Sequence, residues 1–515
     1  MAAPTPSRIR TRLFLTCWIV FTVHFATNTV REHYPAFSLI EDRTLKVDRY
    51  LDFHPDIFAH TDGHAYVGNN VAGSYLAAVP LLLFDPALDA LERWEQARLE
   101  AEGVGDTEYR VEDHPNSQVF YRMAKEAGLT LRFGASAAVT TGFLMAPLMA
   151  ALAVLVFSIL VDRRVGWRRS LWLALLFAFG TPIFFRAGVL NHNVMLMATT
   201  FLSFLVVWPR REEDDPGGPR SVPTLAVAGA LAGFGLALDY AGVIPLLCVY
   251  GYVVATRLGA RGLWGSVRES LPFVLGSVPP VLFLLYTQWA MFGNPFLPGQ
   301  YWMPDASTTA FGTFENPYST EGFRGFTLPA PDLYFLNLFD PSYGLFTYGP
   351  LLIVGLLPAW RYPRRRLVLP PPERWFNLVF FLAFLTFCSA NQYSRIQFNS
   401  GFRYMIPVVP FLFLAASDHL ARMPRRWLAA LTVPVVVHSW VISMVREPVP
   451  ESWRRVLTEG IQLPWLTTLK ATRPVDDPIF SSPLLPLAVL AVTGALVWIV
   501  WRWRWQEPPL NEAAT

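Results

Sequence analysis

Long apolar runs separated by short basic loops and a few large polar loops make up this chain. "LFLTCWIVFTVHFATNTV", Ala135–Val161, Leu271–Phe292 and Pro483–Trp501 each suit a helix crossing a hydrocarbon core of roughly 30 Å, which takes about 20 residues. The apolar windows predict spans near 13–30, 135–161, 169–187, 190–208, 223–239, 241–256, 271–292, 347–360, 375–390, 404–420, 427–445 and 483–501. One further stretch, Val71–Phe84, has 14 residues, a length more usual for a surface-lying or re-entrant helix than for a crossing.

Arginine fixes the direction of the rest. If Val71–Phe84 stays on one side, the clusters RIRTR, DRRVGWRR, PRREEDDPGGPR, RLGARG, RYPRRR, RMPRR and WRWRW share a face, the cytoplasmic one by the positive-inside rule. A crossing there would turn every later cluster outward. The expected fold is therefore an all-α polytopic membrane protein, a bundle of about 12 transmembrane helices (11–13) with juxtamembrane helices in a large first outer loop. Residues 1–12 form a cytoplasmic N-terminus, 13–445 the main transmembrane domain, 446–482 an outer loop, 483–502 the last span and 503–515 a cytoplasmic tail. Loops 31–134, 293–346 and 391–403 join 446–482 on the outer side. Basic residues before the first apolar run suggest a signal peptide, but no small-x-small site follows, so a retained anchor is expected.

Composition sharpens this picture. The chain is 53% hydrophobic and 16% charged, with mean hydropathy +0.33, whereas soluble domains carry about a quarter charged residues. The net charge of +3 decides little. Cys17, Cys248 and Cys388 all fall in apolar spans, so neither a disulfide framework nor a cysteine metal site is expected. No GxGxxG follows a strand pattern and no large cytoplasmic domain is present, which leaves no place for a soluble nucleotide-sugar site.

Candidate chemistry gathers at the outer mouths of the spans. Arg31 and Glu32 follow the first span, His192 opens another, Asp239 and Tyr240 sit in a hairpin, and Arg403 and Tyr404 begin a later span. Ionisable groups at this depth are costly unless paired or functional. Each taken singly reads as an interfacial anchor or a structural residue. Together, an arginine beside carboxylates suits a phosphate-bearing headgroup. "FHPDIFAHTDGH" adds His54, Asp56, His60, Asp62 and His64. Their spacing permits zinc, but without HExxH or cysteine the expected role is hydrogen bonding to sugar hydroxyls; His54, Asp56, His60 and His64 remain the metal alternative.

Several stretches resemble the GT-C integral-membrane glycosyltransferases, the superfamily of protein O-mannosyltransferases, aminoarabinose transferases of lipid A and bacterial RgtA/B/C/D-like enzymes. They are "VREHYPAFSL", "DGHAYVGNNVAGSYLAAVP", "LDYAGVIPLL", "YTQWAMFGNPFLPGQYW", "GFRGFTLPAPDLYFLNLFDPSYGLFTYGPLL" and "FNSGFRYMIPVVPFLFL", spread over residues 13–420. The resemblance implies an inverting transfer of a hexose or pentose from a polyprenyl-phosphate carrier to a lipid, glycan or protein acceptor on the outer face of the plasma membrane, with membrane lipid but no nucleic acid as partner and no cofactor. By position it implies Glu32 as the base, with Asp42 and Glu41 in reserve. It implies substrate contacts from Arg31, His33, Tyr34, Asp62, His64, Tyr66, Asn70, His192, Asp239, Tyr240, Arg403 and Tyr404. Two features depart from the family pattern: Arg31-Glu32 replaces an Asp-Glu pair, and Asn69-Asn70-Val71 replaces a Lys-Pro-Pro-like turn. Either Arg31, Arg49 or Arg403 then takes over the phosphate, or the donor differs. The rivals are a flippase of a lipid-linked saccharide, which needs charged or broken helices at mid-depth and has Pro147, Pro182, Pro245 and Pro279-Pro280 to break them, and a metal-dependent hydrolase.

Overall fold

The computed structural model describes residues 6–103, 115–209, 220–309, 312–315, 318–360, 362–363, 367–472, 479–480 and 482–503. The tail beyond 503, most of the 209–220 loop and part of the RYPRRR cluster lie outside the described residues. The helices follow in order: α1 (Pro6–Val23), α2 (His33–Glu41), α3 (Ala72–Glu102), α4 (Pro115–Glu126), α5 (Thr130–Thr140), α6 (Ala146–Asp162), α7 (Trp167–Phe179), α8 (Pro182–Ala187), α9 (His192–Val207) and α10 (Val222–Leu238). They continue as α11 (Val243–Ala255), α12 (Leu258–Phe292), α13 (Pro331–Phe339), α14 (Leu345–Tyr348), α15 (Pro371–Ala390), α16 (Val409–Leu420), α17 (Arg425–Val445), α18 (Val449–Glu459), α19 (Pro464–Thr472) and α20 (Leu484–Arg502). Two small antiparallel hairpins, β1 (Ile57–Ala59) with β2 (Ala65–Val67) and β3 (Ala306–Thr309) with β4 (Gly312–Glu315), interrupt the helices.

Six helical stretches are long and apolar enough to cross a membrane: Ala72–Glu102, Thr130–Asp162, Leu258–Phe292, Pro371–Ala390, Arg425–Val445 and Leu484–Arg502. Shorter apolar helices, α9, α10, α11 and α16 among them, complete the bundle. Side-chain contacts fix its two ends. At one end Arg10 reaches Ser158, Arg12 reaches the Trp503 carbonyl, Arg169 caps the carbonyls of Ala421 and Met423, and Asp418 is held by Arg374 and Arg422. The arginine-rich loops collect here. The opposite end carries the turns after α1, α8, α10 and α17 and those before α9 and α16.

The 14-residue Val71–Phe84 stretch is the apolar front of a 31-residue helix, α3. Gly73 in its first turn lies against Glu32 and His192, where an added Cβ would meet Glu32 Cγ at 3.5 Å. Near its far end, Glu95 accepts a hydrogen bond from the Leu131 backbone at the start of α5. Both ends of α3 therefore lie at the end of the bundle opposite the short basic loops, and its apolar front, with Val79, Leu82 and Leu83 exposed, faces outward.

The 347–360 span differs from expectation. It is built from the single turn α14 and a 3₁₀ stretch, Pro350–Leu356, instead of a continuous α-helix. Gly349 and Pro350 break the helix, and Gly355 packs so close to α16 that a Cβ would stand 2.2 Å from the Leu412 carbonyl oxygen. Irregular backbone inside a bundle is tolerated where protein buries it, and Leu351, Leu352 and Gly355 are buried. Similarly, the predicted 169–187 span breaks at Gly180-Thr181. The Thr181 side chain caps α8, placing Arg186 at the end opposite the short basic loops.

Candidate active site

Between α1 and α2 the chain crosses the end opposite the short basic loops as an extended segment. Its Ala26 N–H bonds to the Gly188 carbonyl, and Gly188 touches the His24 carbonyl so closely that no side chain fits there. This contact fixes Arg31 and Glu32 beside the start of α9. Asn191 caps α9 by accepting from the Val194 N–H, which turns His192 inward. Across from it, Asp239 ends α10, accepts from the Ala241 N–H at 2.8 Å and from Asn193 Nδ2 at 3.0 Å.

The result is a buried chain of charges. His192 Nδ1 contacts Glu32 Oε1, and its Nε2 stands 3.0 Å from Asp239 Oδ2. Each carboxylate accepts, so the ring serves both only with a proton on each nitrogen. Arg31 adds a bond to Glu32 Oε1 at 3.4 Å and a 2.7 Å ion pair with Asp56. Burial opposes ionisation of Glu32, but His192 and Arg31 outweigh it and hold its pKa well below the usual carboxylate range. Asp56 is lowered in the same way, by His54 and Arg31 against burial. Burial opposes the charge on Arg31, and Glu32 and Asp56 outweigh it, raising its pKa. His54 is lowered, chiefly by burial, and its Nδ1 accepts the Asp56 N–H at 3.0 Å, as a neutral ring does.

This group forms one side of a cavity of about 470 Å³. A second side is cationic. Arg186, Arg403 and Arg446 line the cavity, and among the described residues none has a carboxylate within ion-pairing distance. Arg186 donates to the carbonyls of Ser400 and Gly401 at 2.8 Å and also to that of Phe402. Gly401 makes this possible: its φ of +69° is one that other residues resist, and a Cβ would strike the Phe185 ring. Arg446 donates to the Phe185 carbonyl at 2.7 Å and stacks 4.4 Å above that ring. Burial draws its pKa down to about 10, still charged at neutral pH. Arg403 lies over Tyr404, and its buried Nε has no hydrogen-bond partner among the described residues. Uncompensated buried guanidinium groups are expensive, and three around one cavity make a seat for an anion.

The structure thus brings Arg31, Glu32, His192, Asp239 and Arg403 together, with His54 and Asp56 alongside. The other expected residues stand elsewhere. His33 is buried between Val30 and Thr140, and Tyr34 donates to the Phe53 carbonyl in the core. Glu41 pairs with Tyr50 and Arg132 beyond α2, and Asp42 ends that helix. Asp62, His64 and Tyr66 belong to the β1–β2 hairpin, where Asp62 takes the Tyr66 hydroxyl and His64 pairs with Asp48. Asn70 bonds the Leu236 carbonyl, Tyr240 contacts Gln288, and Tyr404 serves as the face under Arg403. His60 sits among Tyr66, Phe292 and Trp302. Among the described residues no group of three His, Cys, Asp or Glu side chains is arranged to hold a metal ion.

Arg186 and Arg446 escaped the sequence reading. Their signal was an exception: with arginines concentrated at one end, an arginine at the opposite mouth of a span stands out, and "IFFRAG" and "SMVREP" each hold one.

No protein-family model matches this chain, and no curated protein does. Two solved structures overlap it: ArnT from Cupriavidus metallidurans in the apo state, at 13% identity, and the same protein bound to undecaprenyl phosphate, at 14%. Each overlap covers 95% of this chain and 75% of the other, with a TM-score of 0.46. At that overlap neither a family nor an activity passes from those structures to this chain.

Proposed function

We propose that this chain is a multi-pass plasma-membrane glycosyltransferase with about twelve crossings, taking a sugar from a polyprenyl-phosphate carrier and passing it to an acceptor hydroxyl at the outer face. The observation that carries the reading is one cavity holding both an ionised carboxylate, Glu32, and three uncompensated arginines, Arg186, Arg403 and Arg446. The motif order in the sequence and the short basic loops gathered at the opposite end support it.

The chemistry follows from charge. The donor is a phosphodiester with one negative charge. As its bond to the anomeric carbon breaks, the electron pair goes to the phosphate oxygen and a second charge develops there. Cations already fixed around that oxygen favour the transition state over the ground state. On the other side the acceptor oxygen forms the new bond to the anomeric carbon, and its proton passes to Glu32. His192 and Arg31 both engage Oε1, which leaves Oε2 to take the hydroxyl's proton. A carboxylate of lowered pKa is a weak base, suited to taking the proton late, when the acceptor oxygen has become acidic. Asp239 and Asn193 orient His192, which orients Glu32.

The test is binding of a short polyprenyl monophosphate to the purified protein in detergent, read by ³¹P NMR. Arg186→Gln and Arg446→Gln, alone and together, are expected to weaken binding at least tenfold, while Glu32→Gln retains it. Equal binding by the double variant would remove the phosphate from this site.

A further inference from the structure

The cavity has a third wall, and it is chemically unlike the other two. It is built from the 26–30 segment, the first turns of α4, and α19. Thr29, Asn116, Ser117, Phe120, Tyr121 and Thr468 face the cavity there. These are hydroxyls, an amide and two aromatic rings, with no ionisable carboxylate or cation among them. The wall is braced from behind: Thr27 hydrogen-bonds both the Tyr121 hydroxyl at 3.1 Å and Thr468 at 3.0 Å. The Thr29 hydroxyl is buried and has no hydrogen-bond partner among the described residues. A buried hydroxyl without a partner costs free energy until something supplies one. Glu447 and Arg455 also line the cavity, and Arg455 is held by Glu451 at 2.8 Å.

From this contrast we infer that the third wall is the acceptor subsite and that it takes an uncharged saccharide. The inference rests on the donor reading above. Hydroxyl and amide side chains exchange hydrogen bonds with sugar hydroxyls, and aromatic rings cover the apolar face of a sugar ring. A phosphorylated or carboxylated acceptor would bring a charge of −1 to about −2 against a wall with no cation to receive it, and a desolvated charge left unpaired is strongly disfavoured. The wall is also continuous with the base. Thr29 and Glu32 are three residues apart on one pinned segment, so a saccharide on the wall presents a hydroxyl to the carboxylate. The donor sugar then occupies the space between Glu32 and Arg403. A cavity of about 470 Å³ is in the range of small-ligand pockets and admits the sugar-phosphate end of the donor and the reacting sugar of the acceptor, with the rest of a longer glycan outside.

Saturation-transfer NMR on the full-length protein in detergent tests this with methyl glycosides of neutral hexoses and pentoses, against methyl glucuronide and glucose 1-phosphate. Neutral glycosides are expected to receive saturation, and Asn116→Ala and Tyr121→Phe to weaken them at least tenfold without altering binding of polyprenyl monophosphate. Glucose 1-phosphate is expected to respond to Arg186→Gln instead. If the two wall variants, still folded by thermal melting, leave neutral glycosides unchanged, or if they weaken only the anionic probes, the inference is wrong. Failure of polyprenyl monophosphate to bind would sink the donor reading, while the glycoside arm still reports on the wall.

Discussion

Burial alone would raise the pKa of Glu32; His192 and Arg31 outweigh it and hold the carboxylate ionised. The sign of the pH dependence follows. A carboxyl whose folded pKa is depressed stabilises the fold above its ordinary value and loses that contribution as pH falls through the depressed one. The acidic limb of kcat/KM therefore lies below the ordinary carboxylate range, and His192→Asn, by removing a counter-charge, is expected to move it up toward that range. An unmoved limb in a folded variant would mean that His192 does not set the state of Glu32. Glu32→Gln should lower kcat by about 10²–10⁴, the usual worth of a general base, and leave donor binding intact. Glu32, His192, Asp239 and Arg403 were legible in the sequence because each interrupts the mouth of an apolar run. Which of their neighbours face inward was not, since His33 and Tyr34 next to Glu32 turn into the core, a choice made by α2 packing that no local pattern encodes.

At the scale of elements, close backbone approaches organise the site. Gly73 lets the first turn of α3 rest on Glu32 and His192, with 3.5 and 3.6 Å left for any Cβ. Gly73→Val is expected to displace both side chains and to lower kcat at least tenfold while the melting temperature changes little; wild-type kinetics would show that α3 does not support the pair. Gly355 serves the fold instead. Gly355→Ala would press on the Leu412 carbonyl and is expected to destabilise by about 1–3 kcal/mol, the usual cost of overpacking, read as a lowered unfolding midpoint. Helix positions were largely readable from apolar run length, as α10, α15, α17 and α20 illustrate. The broken 347–360 segment was not, because apolar composition reports burial and says nothing of whether Gly349, Pro350 and Gly355 let the backbone close a helix.

Across the whole molecule, charge is divided between two ends. Arg10, Arg169, Arg374 and Arg422 brace the loops at one end, and Arg31, Arg186, Arg403 and Arg446 surround the cavity at the other. In the sequence the short basic loops alternate with the large polar ones, the pattern from which Val71–Phe84 is expected to stay on one side. Single cysteines placed at Asp85 and Arg426 should label from opposite faces of oriented membranes, Asp85 from the outside; labelling of both from one face would overturn the arrangement. On the function proposed above, the reaction runs at the cavity end of the bundle.

That reaction can be watched at phosphorus. With the purified protein, a panel of short-chain polyprenyl-phosphate hexoses and pentoses, and neutral glycoside acceptors, ³¹P NMR should record one donor's phosphodiester signal converting to that of the free monoester. Conversion should slow by about 10²–10⁴ with Glu32→Gln and at least tenfold with Arg446→Gln. Conversion that proceeds unchanged in both variants, or a panel from which no diester is ever consumed, would contradict the assignment of this cavity to glycosyl transfer.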